Sequence, residues 1–312
     1  MSSLVRHLAG AAALCAIALA SGASAADLPS RKAPVPIAPA PIMTWTGLYV
    51  GLNAGYGWNA DPNTQTSASA AFVNPALAGA FINVPSASLA GANAVIPMSR
   101  GAFLAGGQIG FNYQFSTYGV VGVEADLQGL FASASNGSTT TAVPVAAPPG
   151  PAGRIYMSSI SASQKLDYLG TLRARVGFLA TPSVLLYATV GMAFGHAGVS
   201  ASVTQAITSP PGPAILPIFS SGSTSATRVG LALGAGGEWK FARNWSAKLE
   251  YLYYDLGSVA NNLALVQVGP PGPGLQFINT FQARTRLNGH VVRAGLNYHF
   301  NCCAAAPVVA KY

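Results

Sequence analysis

The stretch KLDYLGTLRARVGF, residues Lys165 to Phe178, limits the fold classes open to this chain. From Leu166 onward every second residue is apolar or glycine, whereas the residues between them include Asp167, Arg173 and Arg175. A strict two-residue alternation predicts a β-strand whose two faces lie in different environments. One face suits an apolar solvent, and the other needs a polar place for two arginines.

The overall composition narrows the class of protein further. Charged residues make up 8% of the 312 residues and hydrophobic residues 51%, whereas about 25% of the residues in a typical soluble domain are charged. The body of the chain contains no run of the roughly 18 apolar residues that a membrane helix needs. A large soluble β-protein and a membrane β-barrel therefore remain. The net charge of +8 comes from scattered bases without a recognisable binding motif, so we expect no nucleic-acid partner.

The N-terminus indicates export. Residues 1–25 combine Arg6, an apolar run from Leu8 to Ala20 and the small residues Ala23-Ser24-Ala25, which is the pattern of a signal peptide cleaved after Ala25. Residues 26–44 are rich in proline and predict an extended periplasmic linker.

The C-terminal residues 301–312 are interpreted as a periplasmic tail. This tail contains Cys302 and Cys303, the two cysteines left after signal cleavage. Adjacent cysteines rarely bridge each other, and two cysteines without a histidine cluster make a poor metal site. An incidental pair is the favoured interpretation, and an intermolecular disulfide in an oxidising compartment is the alternative.

Between the two ends, the alternation of the opening stretch recurs in eight segments separated by connections of unequal length. The other seven segments are WTGLYVGLNAGYGW (45–58), GAFLAGGQIGFNYQF (101–115), YGVVGVEADLQGLF (118–131), SVLLYATVGMAFG (183–195), TRVGLALGAGGEWKF (227–241), NWSAKLEYLYYDLG (244–257) and RLNGHVVRAGLNYHF (286–300). Long connections (59–100, 132–164, 196–226 and 258–284) alternate with short ones (116–117, 180–182 and 242–243). This pattern predicts an all-β fold: an eight-stranded antiparallel up-and-down transmembrane β-barrel over residues 45–300, with four long extracellular loops and short periplasmic turns.

A lipocalin-like barrel or a β-sandwich is the soluble alternative. Either fold would expose the polar face to water and would need many more charges on it. The polar faces here are mostly Gly, Thr and Asn, and the aromatic residues of the apolar faces fall into two belts. Two aromatic belts are typical of a membrane barrel.

Several of these segments carry a family resemblance. WTGLYVGLNAGYGW, LLYATVGMAFG, NWSAKLEYLYYDLG and VRAGLNYHF resemble the small, porin-like outer-membrane β-barrel proteins of alphaproteobacteria, which are similar in architecture to the OmpA transmembrane domain. The resemblance covers Trp45 to Phe300 and the linker. It implies a structural or surface protein of the outer membrane of a Gram-negative bacterium, without enzymatic activity.

The last strand also resembles the signal read by the barrel-assembly machinery, which ends on an aromatic residue. Leu296, Tyr298 and Phe300 match it. Because the chain continues through residues 301–312, either the machinery reads this strand internally or Tyr312 takes part; the internal strand is favoured.

Charged residues on the polar faces form the candidate functional site. There are five acids and six bases: Glu124, Asp126, Asp167, Arg173, Arg175, Arg228, Glu238, Lys240, Lys248, Glu250 and Arg293. An eight-stranded barrel is just wide enough for side chains to fill, and buried charges are costly unless they are paired. The set is interpreted as a packed polar plug, with an ion path through a charged constriction as the alternative.

Two further features of the predicted loops are a histidine close to serines and a repeated proline-rich motif. His196 lies near Ser200 and Ser202, but the surrounding loop has no acid, so we expect no enzyme. Three related motifs lie in predicted loops: PPGPAG (148–153), PPGPAI (210–215) and PPGPGL (270–275). They are either rigid turns or a shared binding surface.

The predicted function is that of a monomeric structural barrel supporting envelope integrity and cell-surface interactions. The predicted partners are outer-membrane lipid and lipopolysaccharide, the barrel-assembly machinery and an unidentified surface ligand, with no cofactor and no metal. The alternative function is a narrow porin-like channel for passive diffusion of small solutes, and conductance distinguishes the two.

Overall fold

The computed structural model describes residues 44–72, 83–98, 101–131, 134–144, 155–209, 212–268 and 276–300. The predicted signal peptide, the linker up to residue 43 and the tail with Cys302 and Cys303 lie outside this range. So do the first and third proline-rich motifs, while the second is covered only in its backbone from Gly212. None of the described helices is long and apolar enough to cross a membrane.

Eleven strands and one helix make up the described chain. In chain order they are β1 (Gly47–Asn59), β2 (Asn63–Phe72), α1 (Asn83–Ala92), β3 (Ala94–Pro97), β4 (Gly101–Gln114), β5 (Gly119–Phe131), β6 (Ser135–Pro144), β7 (Ile155–Thr181), β8 (Val184–Ser209), β9 (Gly212–Lys240), β10 (Trp245–Val268) and β11 (Gln276–Phe300).

Eight of the strands form a closed antiparallel ring in the order β1-β4-β5-β7-β8-β9-β10-β11. The ring closes between β1 and β11, where the pairing runs without a shift from Leu48 opposite Phe300 to Asn59 opposite Gly289. Closure pairs the edge strands with each other and leaves no open edge at this level. The eight-stranded antiparallel barrel predicted from the sequence is therefore confirmed.

The two-residue alternation sorts side chains between the outside of the ring and its interior. On β1, Leu52 is 72% exposed and its neighbour Asn53 is 4% exposed. On β7, Val176 is 59% exposed and Arg175 is 2% exposed. Apolar side chains thus cover the outer wall, and polar side chains fill the interior.

The four long connections lie where the sequence predicts them, and much of each one is itself β-structure. Strands β7 to β11 have 24 to 29 residues, whereas about 9–11 residues suffice to cross a membrane. The first connection contains β2, α1 and β3, and the second contains β6. Many residues of these segments are Ser, Thr, Ala or Val, and the segments pair as strands although they lack a strong apolar period.

These additional β-segments form what we call the outer extension: β2, α1, β3, β6 and residues 155–166, 197–209, 212–228, 258–268 and 276–286. Strand β10 leaves β9 after Asp255, where a bulge reaches to Ser258 and Gly257 adopts a left-handed φ of 81°. Beyond that point the strands form two four-stranded groups, β6-β7-β8-β9 and β10-β11-β2-β3. An apolar core lies within this extension: Ala92, Ile96, Met98, Ile160, Ala162, Ala201, Val203, Leu263, Phe281 and Ala283.

Helix α1 is held in the outer extension by buried hydrogen bonds. Gln205 on β8 accepts hydrogen bonds from the hydroxyls of Ser88 and Tyr156, both at 2.9 Å, and Asn279 donates to Ser88 Oγ at 2.8 Å. Burial raises the pKa of the Tyr156 hydroxyl, so it remains a donor. These buried hydrogen bonds tie α1 to β7, β8 and β11 and so favour one arrangement of the elements that carry them.

The outward face of β6-β7-β8-β9 carries two rows of small polar side chains that cross all four strands. The rows are Asn136–Ser163–Ser200–Ser223 and Ser138–Ser161–Ser202–Ser221. They line a surface depression of about 630 Å³. Ser163 and Ser200 share a hydrogen bond of 2.6 Å between their hydroxyls. We call this surface the hydroxyl face.

Candidate functional site in the barrel interior

The strand register places opposite charges across from one another inside the barrel. Glu124 on β5 is opposite Arg173 on β7, Glu250 on β10 is opposite Arg293 on β11, and Glu238 on β9 is opposite Lys248 on β10. Directly opposed side chains on one face of an antiparallel pair are close enough to interact. The backbone pairing therefore prepares the charge pairing before any side chain is positioned.

Arg173 is the centre of this interior. Its guanidinium lies 2.7 Å from Glu124, 2.9 Å from Asp126 and 2.6 Å from Glu250. It also donates hydrogen bonds to the hydroxyls of Thr171 at 2.8 Å and Thr189 at 2.9 Å. The Arg173 side chain has no solvent exposure, so these five groups take the place of water around the charge.

Two further bases complete the first group of ion pairs. Arg293 lies 2.6 Å from Glu250 and 2.9 Å from Asp126, and Lys248 lies 2.8 Å from Glu124. Each of the three acids therefore contacts at least two bases. Shared partners of this kind offset the desolvation cost that makes isolated buried charges unfavourable.

A second group of contacts surrounds Glu238 and Arg175, which form a direct ion pair. Glu238 also accepts hydrogen bonds from Ser246 and, at 2.8 Å, from Asn297, and it lies 3.3 Å from His299. The Arg175 guanidinium also stacks on the Tyr187 ring. Four acids and four bases form these ion pairs, so the formal charge of the network is balanced.

Tyr49 and Tyr187 belong to this site and were not among the sequence candidates. The Tyr49 hydroxyl donates to Glu124 at 2.7 Å and accepts from Arg175 at 3.2 Å, and the Tyr187 ring lies 3.6 Å below the Arg175 guanidinium. A bulky tyrosine on the polar face opposite a glycine is a usable signal. Tyr49 faces Gly110, where a Cβ would overlap the Tyr49 ring.

The structure brings eight of the eleven sequence candidates into this network: Glu124, Asp126, Arg173, Arg175, Glu238, Lys248, Glu250 and Arg293. The other three lie elsewhere. Lys240 is buried but donates to the carbonyl oxygen of Thr44 at 2.7 Å and lies 4.5 Å from the Trp45 ring. Arg228 is half-buried and, among the described residues, has no ion pair.

The predicted inward position of Asp167 is wrong. It is 40% exposed and pairs at 2.6 Å with Lys165, which is 60% exposed. A bulge in β7 between Leu166 and Leu169 interrupts the alternation, so the parity that places Arg173 inside does not extend to Asp167.

Apolar layers lie on both sides of the charged network. The layer at the end with the short turns contains Trp45, Val120, Leu179, Leu185 and Tyr187. Trp45 reaches across the interior, because its indole N–H donates to the carbonyl oxygen of Pro182 at 3.1 Å. The layer toward the outer extension contains Leu104, Leu169, Ala193, Ala197, Val199, Ala232, Leu252, Tyr254, Leu256, Val259, Leu287 and Val291. The charges are thus enclosed between two apolar layers.

The candidate assembly residues lie on the outer wall at the closing seam. Leu296 is 45% and Phe300 40% exposed, and the Tyr298 ring packs edge-on against Trp245 with centroids 5.2 Å apart. Phe300 pairs with Leu48 on β1. Recognition of this strand by the assembly machinery stays a prediction.

The contacts of the candidate catalytic residues are structural. The His196 ring stacks on Tyr168, with centroids 6.5 Å apart, and the Ser200 hydroxyl is paired with Ser163. Within the described ranges, no group of three or more His, Cys, Asp or Glu side chains is arranged to hold a metal ion.

Comparisons with known proteins agree with this architecture. A family model described as "Outer membrane protein beta-barrel domain" matches residues 11–300. The chain is 32% identical over 282 residues to the 31 kDa outer-membrane immunogenic protein of Brucella melitensis, covering 90% of this chain and 95% of that protein. It is 25% identical over 280 residues to the 25 kDa outer-membrane immunogenic protein of Brucella abortus, covering 89% and 91%.

Among solved structures, the attachment invasion locus protein Ail of Yersinia pestis matches at 13% identity and a TM-score of 0.25, covering 80% of this chain and 99% of that one. The family match spans the whole barrel and part of the N-terminal region. The chain belongs to the outer membrane protein β-barrel family and is a protein of the Gram-negative outer membrane.

Proposed function

We propose that this protein is a structural barrel with a closed interior that carries the outer extension above the membrane. In this role it supports envelope integrity and presents a surface for interactions, without channel activity and without enzymatic activity. The observation that carries the proposal is the filling of the interior. A balanced network of eight charged side chains is enclosed between two apolar layers.

A channel needs a continuous polar path through the barrel. An ion or a polar solute crosses only where water or polar groups accompany it continuously. Arg173, Glu124 and Glu250 have at most 1% side-chain exposure and are bound to one another. Opening a path would separate these ion pairs and expose each charge to an apolar layer, which costs several kcal/mol per ion. Within the described barrel, the two apolar layers lie where the narrow-channel alternative would need an aqueous path.

This role also includes proposals about the partners of the protein, its processing and its oligomeric state. We propose lipopolysaccharide and other membrane lipids as the surroundings of the outer wall, and the barrel-assembly machinery as the reader of the final strand. The monomeric state, the signal peptide cleaved after Ala25, the linker at 26–44 and an unidentified surface ligand remain proposals. N-terminal sequencing of the mature protein checks the cleavage site.

The test is conductance in planar lipid bilayers. Purified, refolded protein is added beside a trimeric porin that serves as the positive control for insertion and detection. We expect no steady single-channel currents from the wild type. The variant Trp45→Ala should also be silent, because the charged network and the outer apolar layer remain. Steady currents from the wild-type protein, comparable to those of the porin, would contradict the closed interior.

A further inference from the structure

The outer wall carries an aromatic cluster where β1, β10 and β11 meet. The His290 ring lies 5.7 Å from that of Trp58, 5.8 Å from that of Tyr251 and 5.4 Å from that of Tyr253, measured between centroids. Tyr251 and His290 also share a hydrogen bond of 2.6 Å. All four side chains face outward. We call them the outer aromatic cluster.

The depth of this cluster follows from the length of β11. Ten residues separate Phe300, at the end of the barrel with the short turns, from His290. A rise of about 3.3 Å per residue at a tilt of about 40° gives roughly 25 Å, which is the height of the apolar band of an outer-membrane barrel. The outer aromatic cluster therefore marks the outer boundary of the hydrocarbon layer.

Two arginines follow on the same face of β11. Arg286 is four residues beyond His290, or about 10 Å further out by the same arithmetic, and Arg284 is two residues beyond Arg286. Arg286 is 55% exposed. Long basic side chains near a membrane boundary lay their stems along the apolar surface and keep their charges in the headgroup layer. The Arg286 guanidinium can therefore reach the depth of the lipid headgroups.

The guanidinium groups of Arg284 and Arg286 keep hydrogen-bond donors that could bind an anion. Arg284 donates to Ser258 Oγ at 3.2 Å and has no carboxylate partner in the described part of the chain. Arg286 forms a 2.6 Å ion pair with Asp255. Burial alone would raise the pKa of Asp255, but hydrogen bonds from Arg286 and from the Gly257 N–H lower it, so Asp255 is an anion at neutral pH. It occupies part of the fork of Arg286.

We propose that Arg284 and Arg286 bind the phosphate of a lipid in the outer leaflet, with the acyl chains of that lipid lying along the outer aromatic cluster and the apolar wall below it. Planar guanidinium groups bind phosphate through two parallel charge-assisted hydrogen bonds. The occupant is the phosphorylated lipid anchor of lipopolysaccharide. Asp255 is an internal competitor that a bound phosphate displaces from Arg286.

This inference depends on the placement in the outer membrane and not on the closed interior. The lipid experiment and the conductance experiment can therefore fail independently. A conducting barrel would still leave the lipid site intact, whereas loss of the lipid site would say nothing about conductance.

The test is native mass spectrometry of the refolded protein in detergent, mixed with a rough, bis-phosphorylated lipopolysaccharide. We expect the double variant Arg284→Gln/Arg286→Gln to retain about tenfold less of this lipid at equal concentration, because it lacks both charge-assisted contacts. The matched control is Lys165→Gln, which removes another exposed, ion-paired base from β7 and should retain as much as the wild type. Each variant is first shown to fold by its heat-dependent shift on an SDS gel.

Asp255→Asn supplies a change of opposite sign, since it frees Arg286 and should increase lipid retention. Phosphatase-treated lipopolysaccharide should bind the wild type and the double variant equally, and inorganic phosphate at millimolar concentration should not displace the intact lipid. The proposal is overturned if the double variant matches Lys165→Gln, or if Asp255→Asn does not increase retention. It is also overturned if phosphatidylglycerol shows the same dependence on the two arginines, because the site would then not select lipopolysaccharide.

Discussion

Arg173→Met tests the charged interior most directly. The methionine keeps much of the length of the arginine side chain but removes its charge and all its donors. Three carboxylates, those of Glu124, Asp126 and Glu250, lose their shared partner. The balanced network of four acids and four bases then carries a net charge of −1 in a space closed to water.

The magnitude follows from the burial of this site. Removing one partner of a buried ion pair costs about 3–5 kcal/mol, because the other charge stays buried without compensation. Lys248 and Arg293 still contact the three acids, which places the expected loss in unfolding free energy near the lower end, about 3 kcal/mol. Adding Glu124→Gln to Arg173→Met restores the charge balance and should recover about half of that loss.

The assay is urea unfolding of the protein in phospholipid vesicles, followed by tryptophan fluorescence under conditions where unfolding and refolding curves coincide. Arg228→Met is the matched control, since Arg228 is half-buried and no carboxylate of the described chain pairs with it; its cost should stay below about 1 kcal/mol. Equal costs for Arg173→Met and Arg228→Met would refute the reasoning, as would a double variant less stable than Arg173→Met alone.

Two predictions concern other parts of the fold. Gln205→Ala should increase amide hydrogen exchange in α1, because the buried hydroxyls of Ser88 and Tyr156 lose their acceptor. The heat-dependent SDS-gel shift of the barrel should stay unchanged. The control is Gln282→Ala, which replaces an exposed glutamine and should change neither readout. Gly106→Ala should destabilise the barrel because its Cβ would overlap the carbonyl oxygen of Leu127, whereas at Gly107 the nearest atom is 3.8 Å away. Gly107→Ala is therefore the control, and equal unfolding free energies for Gly106→Ala and Gly107→Ala would contradict the predicted overlap.

The barrel strands were predictable because their two-residue period is strong and their faces differ sharply in polarity. The two-residue alternation alone places Glu124 and Arg173 on the inward faces of neighbouring strands, and the strand register then puts them opposite each other. Parity failed at Asp167 because a bulge shifts the alternation, and nothing in the local residue types marks the bulge.

The outer extension was less predictable. Its strands are built from Ser, Thr, Ala and Val, with proline and glycine nearby, and this composition is also typical of loops. Whether these segments form strands or loops depends on pairing with a neighbouring long strand, which is a non-local effect. Trp45 was missed as an interior residue because its position precedes β1, where no period applies.

The hydroxyl face has a consequence for how this protein meets its surroundings. Its two rows contain seven serines and one asparagine but no charged side chain. Coulomb forces across this face are therefore weak, and dissolved salt has little to screen. Any macromolecule that rests on it must match the spacing of its hydroxyl groups and displace the water they hold. Adhesion through this face should consequently persist from dilute medium to sea-water ionic strength, whereas contacts made through Arg284 and Arg286 weaken as salt rises.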